Sequence, residues 1–145
     1  MSDVSSREDL YGIEWDFLAH DRDGLIAMFT TTGAGAIPPA VFGERATVEQ
    51  GVDALRCMHP RGESVDLRSQ DRLSGNYSDW FECSRRGLFT YDWHLHHGPY
   101  VRVSAPTVPL GITDADPVIA VAAALHRVPF SFADVVEIRI DEPGR

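Results

Sequence analysis

The chain has 145 residues and a formal net charge of −9 at neutral pH. Its length predicts one domain, residues 1–145, with a hydrophobic core that needs no disulfide or metal to hold it together. The negative charge argues against nucleic acid or an anionic membrane as a partner, because both would repel the chain, and it favours a basic protein or a cation. Hydrophobic residues at 43% and charged residues at 24% exclude an intrinsically disordered chain.

The N-terminal segment, residues 1–12, is polar and partly acidic, and we expect it to be a loose lead-in. No apolar leader stands there, which predicts a cytoplasmic protein with reduced thiols. Both thiols, Cys57 and Cys83, adjoin apolar positions and are predicted to be packed rather than nucleophilic. The longest uncharged apolar run, Pro117–Leu125, is shorter than the ~20 residues that a membrane span needs.

Two apolar segments flank an Asp-Gly pair near the N-terminus and predict a β-hairpin. Trp15–Ala19 form the first strand and Leu25–Phe29 the second, with the turn at Asp23–Gly24. The second strand is apolar on both faces, which favours a central position in the sheet. Alternation along the first strand predicts one solvated face, made of Glu14, Asp16, Leu18 and His20.

After the hairpin, apolar residues recur at the spacing of a helix. A short turn is predicted over Pro38–Phe42. An amphipathic helix then begins at Thr47, a favoured N-cap residue, and ends at His59–Pro60. Gly51 in its middle weakens this helix by about 1 kcal/mol relative to alanine.

Residues 60–76 are polar and predict a surface connection with one helical turn over Val65–Leu73. After it, Ser78 caps a predicted short helix that stops at Gly87, with acidic residues early and arginines late. The same residues also fit a β-hairpin that turns at Arg86–Gly87, and this alternative stays open.

Three further elements complete the chain. Leu88–Trp93 and Tyr100–Val103 predict a second hairpin. A helix with Pro117 in its first turn has almost no polar side, so we expect it to be buried. The last strand is predicted over Val135–Ile140, with the core-facing residues Val136, Ile138 and Ile140.

Together these elements predict an α+β fold: a predominantly antiparallel sheet of about five strands, with about three helices packed on it. The chain lacks the strand–helix–strand alternation of doubly wound folds. A nucleotide-binding crevice is therefore not expected.

One cluster contains metal-ligand residue types: Asp92, His94, His96 and His97. On an extended strand His94 and His96 project to the same face, as a chelating pair must, but a tetrahedral site needs further ligands from elsewhere in the chain. A metal-dependent hydrolase built on Asp92, His94 and His96 is the enzymatic alternative. A polar loop without a cofactor is the simpler interpretation.

A second cluster is typical of protein-binding patches. Trp80 stands beside other aromatic residues on the predicted short helix and is flanked by Asp79 and Glu82. The tip of the first hairpin adds Asp21 and Asp23. We expect these five residues to contact a protein partner.

Three segments, together with Pro106 and Pro109, carry a resemblance: Trp15–Pro38, Arg86–Trp93 and Pro99–Val103. In this combination the chain resembles small bacterial proteins associated with the immunity proteins that neutralise partner toxins. The resemblance implies a stoichiometric, non-catalytic, cytoplasmic inhibitor whose acidic surface blocks a toxin. It assigns no active site and no individual functional residue.

The leading hypothesis is therefore a non-catalytic binding protein that inhibits a cognate, basic protein toxin, with charge guiding the encounter. The metal-dependent hydrolase is one alternative. A structural or regulatory subunit, whose apolar patch is permanently covered, is the other. The oligomeric state is left open.

Overall fold

Six strands and four helices are formed by the residues that the computed structural model describes, which are 10, 12–70, 73, 75–93 and 97–142. The strands are β1 (Asp16–His20), β2 (Ile26–Thr30), β3 (Ser64–Asp66), β4 (Phe89–Trp93), β5 (Tyr100–Pro106) and β6 (Glu137–Ile138). The helices are α1 (Pro39–Phe42), α2 (Arg45–Arg56), α3 (Ser78–Arg85) and α4 (Pro117–Ala124). Both predicted hairpins are present, and the helical alternative is correct at α3.

The strands form one sheet in the order β1-β2-β4-β5-β3, and β6 also pairs with β5. Four of the five strand pairings are antiparallel, whereas β2 and β4 pair in parallel. The predicted α+β class is confirmed, with a mixed sheet rather than a strictly antiparallel one. The parallel pair is possible because the long connection from β2 to β4, which contains three helices, returns the chain to the same end of the sheet.

One face of the sheet carries a row of stacked aromatic rings. Phe17, Phe29 and Tyr91 lie opposite one another on β1, β2 and β4, with successive ring centroids 5.2 Å and 5.1 Å apart. Tyr100 meets Phe29 edge-on at 5.1 Å, and Phe132 packs on the same rings. All five side chains are fully buried, so this row forms the centre of the core.

The other face of the sheet is covered by α2 and α4, which pack on each other and on β1. Leu18 and Met28 are buried there, and the Cys83 sulfur of α3 lies 3.6 Å from the Met28 sulfur. The prediction of a solvated face on β1 is therefore wrong at Leu18. Of the two thiols predicted to be packed, Cys83 is buried and Cys57 is exposed.

The connection after α2 contains a strand where the sequence predicts a helical turn. Ser64–Asp66 form β3 and pair with the end of β5. Next to it, the Arg68 guanidinium donates to the Asp66 carboxylate at 2.9 Å and lies 5.1 Å from the ring centres of Tyr77 and Phe81. A strand of three residues is too short to show the alternation that signals a strand in a sequence.

The last helix is buried on one face instead of all round. Ile119, Ala122 and Ala123 of α4 are buried, whereas Val118 and Val121 are 44% and 52% exposed. The prediction of a fully buried helix is wrong because only one face of α4 meets α2 and β1. Apolar composition alone does not require burial, since much of a protein surface is apolar.

The two ends of the chain agree with the predictions in part. Ile138 of β6 is buried as predicted, but Val136 is 51% exposed. Most of the predicted lead-in lies outside the described residues. Within it, Leu10 is buried and the Gly12 N–H donates to the Gly33 carbonyl at 2.8 Å. In the described part of the chain, every helix is too short or too polar to cross a membrane.

Candidate functional site

Asp21, a predicted partner contact at the hairpin tip, is 1% exposed. Its Oδ1 accepts hydrogen bonds from the N–H groups of Asp23 and Leu25, and its Oδ2 accepts one from the Phe132 N–H, each at 2.9 Å. A carboxylate held by three backbone donors stabilises the fold. The partner contact at Asp21 stays a prediction. Asp23 stays exposed at the tip, 3.9 Å from the Arg22 guanidinium.

Asp79, Trp80 and Glu82 all lie on α3, as predicted, but they differ in what they offer a partner. Asp79 is exposed in the first turn, and no described arginine pairs with it. The Glu82 carboxylate lies 3.5 Å from the Arg86 guanidinium, which balances its charge. Trp80 packs on the Tyr77 ring at 4.8 Å, and its buried indole N–H has no hydrogen-bond partner among the described residues. Asp79 is thus the most available of the three.

The five predicted contacts lie in two parts of the chain, the tip of the first hairpin and α3. Asp21 and Asp23 follow the last residue of β1, whereas Asp79 lies close enough to Glu14, before the first residue of β1, to affect its pKa. The five residues of β1, about 16 Å long at ~3.3 Å per residue, lie between Glu14 and the hairpin tip.

The predicted metal cluster lies mostly outside the described residues, because His94 and His96 are not among them. Asp92 is described: it is 4% exposed and accepts a hydrogen bond from the Thr32 hydroxyl at 2.9 Å. Across the part of the chain that the structure describes, no three His, Cys, Asp or Glu side chains are arranged to hold a metal ion. The metal-site hypothesis stays a prediction.

An acidic cleft of about 180 Å³ lies between the start of β1 and α2. Its lining contains Trp15, Val52, four carboxylates and one guanidinium, the charged groups being Glu14, Asp16, Glu49, Asp53 and Arg56. Residues two apart on an extended segment share a face, and so do residues four apart on a helix. The acidic faces of the two segments therefore meet across this cleft.

Hydrogen bonds fix part of the acidic cleft. The Trp15 Nε1–H donates to Glu49 Oε2 at 2.9 Å. The Arg56 guanidinium donates to Asp16 Oδ2 at 2.7 Å, and the Thr30 hydroxyl donates to Asp16 Oδ1 at 2.9 Å. These bonds hold Glu49 and Asp16 against rigid elements. The other two carboxylates of the cleft have no hydrogen-bond or ion-pair partner among the described residues.

The concentration of negative charge is large enough to perturb Glu14. Partial desolvation in the cleft raises the pKa of Glu14 above its usual value, and the charges of Asp16, Asp92 and Asp79 raise it further. Arg56 offsets only part of this effect. A group of carboxylates with too few cations among them attracts positive charge from outside. The acidic cleft together with Asp79 is the candidate site.

Reasoning from the sequence identifies Asp79 but misses the four carboxylates of the cleft. Glu14 and Asp16 lie on the predicted solvated face of a strand, and Glu49 and Asp53 on the polar side of a predicted helix. Each pair alone is typical of an ordinary solvated surface. What marks the site is that two negatively charged faces meet. Only the packing of α2 on β1 shows that they do.

Comparison of the chain with protein-family models, with curated proteins and with solved structures gave no match. The function is therefore inferred from the geometry and charge of the site and from the pattern of the sequence.

Proposed function

We propose that the protein is a non-catalytic immunity protein, which inhibits a cognate toxin by binding a basic surface of that toxin. The observation that carries the proposal is the acidic cleft, where four carboxylates face one guanidinium and Asp79 adds to the same field. The net charge of −9 extends this field over the molecule. A partner of opposite charge is attracted at long range and held in register on contact.

The dimensions of the acidic cleft support a docking role. Its volume of about 180 Å³ is below the roughly 300–1,000 Å³ of typical small-molecule sites. It fits the end of one arginine or lysine side chain, with the aliphatic stem against Val52 and the cation among the carboxylates. Asp79 provides a further contact for a neighbouring cation.

The resemblance of the sequence to immunity proteins supports a toxin as the class of partner. Inhibition by occlusion needs a complementary surface and no reacting group. In this proposal the complex forms in the cytoplasm, where the toxin would otherwise act.

The test compares two double variants with the same change in net charge. Glu49→Gln with Asp53→Asn neutralises the α2 wall of the cleft, and the glutamine keeps an acceptor oxygen for Trp15. Asp114→Asn with Asp134→Asn removes two exposed carboxylates elsewhere on the surface. Each tagged protein is used to capture its partner from native cell lysate at low ionic strength, and the recovered partner is purified for kinetic measurements.

We expect the wild type and the Asp114/Asp134 variant to recover the same basic protein in near-equal amount. The Glu49/Asp53 variant should bind it at least tenfold more weakly, a difference of about 1.4 kcal/mol or more. Association with the wild type should slow as ionic strength rises. Expression of the partner alone should arrest growth, and co-expression of this chain should restore it. Equal binding by both variants, or a harmless partner, would contradict the proposal.

A further inference from the structure

A second cleft, of about 580 Å³, shares no lining residue with the acidic cleft. We call it the C-terminal cleft. Three segments bound it: residues 38–40 at the start of α1, residues 126–130 and residues 138–141. Its volume falls within the roughly 300–1,000 Å³ of typical small-molecule sites.

Backbone contacts hold the walls of the C-terminal cleft in place. Residues 126–130 run beside β1, where the His20 N–H donates to the His126 carbonyl at 3.1 Å and the Val128 N–H donates to the His20 carbonyl at 2.8 Å. The wall over residues 138–141 begins in β6, which pairs with β5. Three prolines restrict the backbone further: Pro38, Pro39 and Pro129. The cleft is therefore formed before a ligand enters, which lowers the entropic cost of binding.

The lining of the C-terminal cleft combines apolar surface with unpaired positive charge. Val128 and Ile138 are buried beneath it, and Phe130 is 47% exposed at its side. Arg127 and Arg139 are exposed, and neither guanidinium has a hydrogen-bond or ion-pair partner among the described residues. An apolar surface with two free guanidinium groups is complementary to an anion that carries an apolar body.

Two other ionisable residues line the C-terminal cleft. Asp141 is the acidic residue in its lining, so the two positive charges of the arginines exceed the single negative charge. Burial and the neighbouring His20 lower the pKa of His126, which keeps this side chain uncharged at neutral pH. A neutral imidazole offers a hydrogen bond without adding to the charge of the site.

We propose that the C-terminal cleft binds a small organic anion, in which an apolar body carries one carboxylate or an equivalent acidic group. A guanidinium binds a carboxylate through two parallel charge-assisted hydrogen bonds. Val128, Phe130 and Ile138 form an apolar surface. Transfer of the apolar body of the ligand from water to this surface favours binding. This site is separate from the acidic cleft, and the inference does not depend on the function proposed above.

The experiment uses two fluorescent probes that differ by one charged group. The anion is 8-anilinonaphthalene-1-sulfonate, and N-phenyl-1-naphthylamine has the same rings without the sulfonate. The test variant is Arg127→Gln with Arg139→Gln, and the control is Arg61→Gln with Arg85→Gln, two exposed arginines outside the cleft. A third variant, Phe130→Ala, removes part of the apolar wall of the cleft and leaves its charged residues unchanged. Thermal unfolding verifies that each variant is folded.

We expect one equivalent of the anionic probe to bind the wild type and the Arg61/Arg85 control with equal affinity. Loss of both cleft arginines should weaken this binding at least about tenfold, as expected for removed charge-assisted hydrogen bonds. Phe130→Ala should weaken the binding of both probes. Decanoate should displace the anionic probe better than decanol does. Unchanged affinity in the Arg127/Arg139 variant, or equal affinity of the two probes for the wild type, would overturn the inference.

Discussion

A single carboxylate, that of Asp21, connects the first hairpin to the C-terminal part of the chain. Two of its three hydrogen bonds are local and follow from the known tendency of aspartate to bind backbone N–H groups one turn onward. The third, to the Phe132 N–H, spans 111 residues and depends on the tertiary structure. An acidic residue beside an Asp-Gly turn therefore suggests an exposed tip, while its actual role is to anchor Phe132 at the core.

Replacing Asp21 with alanine should lower the free energy of unfolding by about 3 kcal/mol, because three backbone donors lose a charged acceptor and two segments separate. Denaturant unfolding followed by circular dichroism measures the change. Asp23→Ala is the matched control at the same turn, and we expect it to change stability by less than about 0.5 kcal/mol. Equal effects of the two substitutions would show that Asp21 does not anchor Phe132.

The negative charge of Glu14 suits a surface that binds cations, but it opposes folding. Because the pKa of Glu14 is raised in the folded state, folding takes up protons in the window between the ordinary and the raised pKa. The contribution of this residue to stability is therefore highest below its ordinary pKa and falls as pH rises through the raised one.

Glu14→Gln should accordingly stabilise the protein at pH 7, by up to about 0.5 kcal/mol, since solvent screens this exposed side chain. The difference from the wild type should disappear in acid, where Glu14 is protonated in both states. Denaturation curves over a series of pH values measure it. Glu137→Gln, an exposed change of the same kind on β6, is measured beside it as the control. A Glu14→Gln variant that is less stable than the wild type at pH 7 would contradict repulsion in the cleft.

At the scale of elements, the close packing of α2 on α4 explains a glycine that the sequence marks only as a weakness. A Cβ atom at position 51 would lie 2.5 Å from the Ala122 Cβ and 3.1 Å from the Val118 carbonyl oxygen. Gly51 thus lets two helices approach where they cover β1. Helix propensity favours alanine at this position, but the contact with α4 outweighs it.

Gly51→Ala should destabilise the protein by about 1–2 kcal/mol, because crowding against α4 exceeds the gain of ~1 kcal/mol in helix propensity. Thermal and denaturant unfolding measure this difference. Gln50→Ala, on the exposed side of the same helix, serves as the control and should leave stability within about 0.5 kcal/mol of the wild type. A stabilised Gly51→Ala variant would mean that α2 and α4 are less closely packed than described.

For the molecule as a whole, the parallel pair of β2 and β4 decides the architecture. It places β2 inside the sheet, with β1 on one side and β4 on the other, and every residue of β2 is buried. It also divides the core into an aromatic face and a face covered by helices. The shorter strands β3 and β6 lie at the far side of the sheet, where each pairs with β5.

The rates of amide hydrogen exchange should reflect these positions of the strands in the sheet. Peptides containing β2 should exchange most slowly, because opening them requires disruption of both neighbouring strands and both layers of the core. Peptides containing β3 and β6 should exchange fastest among the strands. Mass spectrometry of proteolysed, deuterated samples measures these rates under native conditions. Protection of β3 equal to that of β2 would show that the sheet is not organised around its parallel pair.

The sequence by itself determined the local elements with strong patterns. The Asp-Gly hairpin, the apolar strand β2, the amphipathic helix α2 and the aromatic strand β4 follow from periodicity and turn chemistry, which act over a few neighbouring residues. The α+β class follows from them. The short strand β3 did not follow, because its pairing with β5 depends on residues about 40 positions away.

Only the tertiary structure decided which surfaces meet. The acidic cleft exists because α2 packs beside the start of β1, and the C-terminal cleft because residues 126–130 run along β1 next to the chain end. The burial of Asp21 and the exposure of Val118 were decided in the same way. Local preferences depend on sequence neighbours, whereas burial and a shared electrostatic field depend on groups that folding brings together from distant parts of the chain.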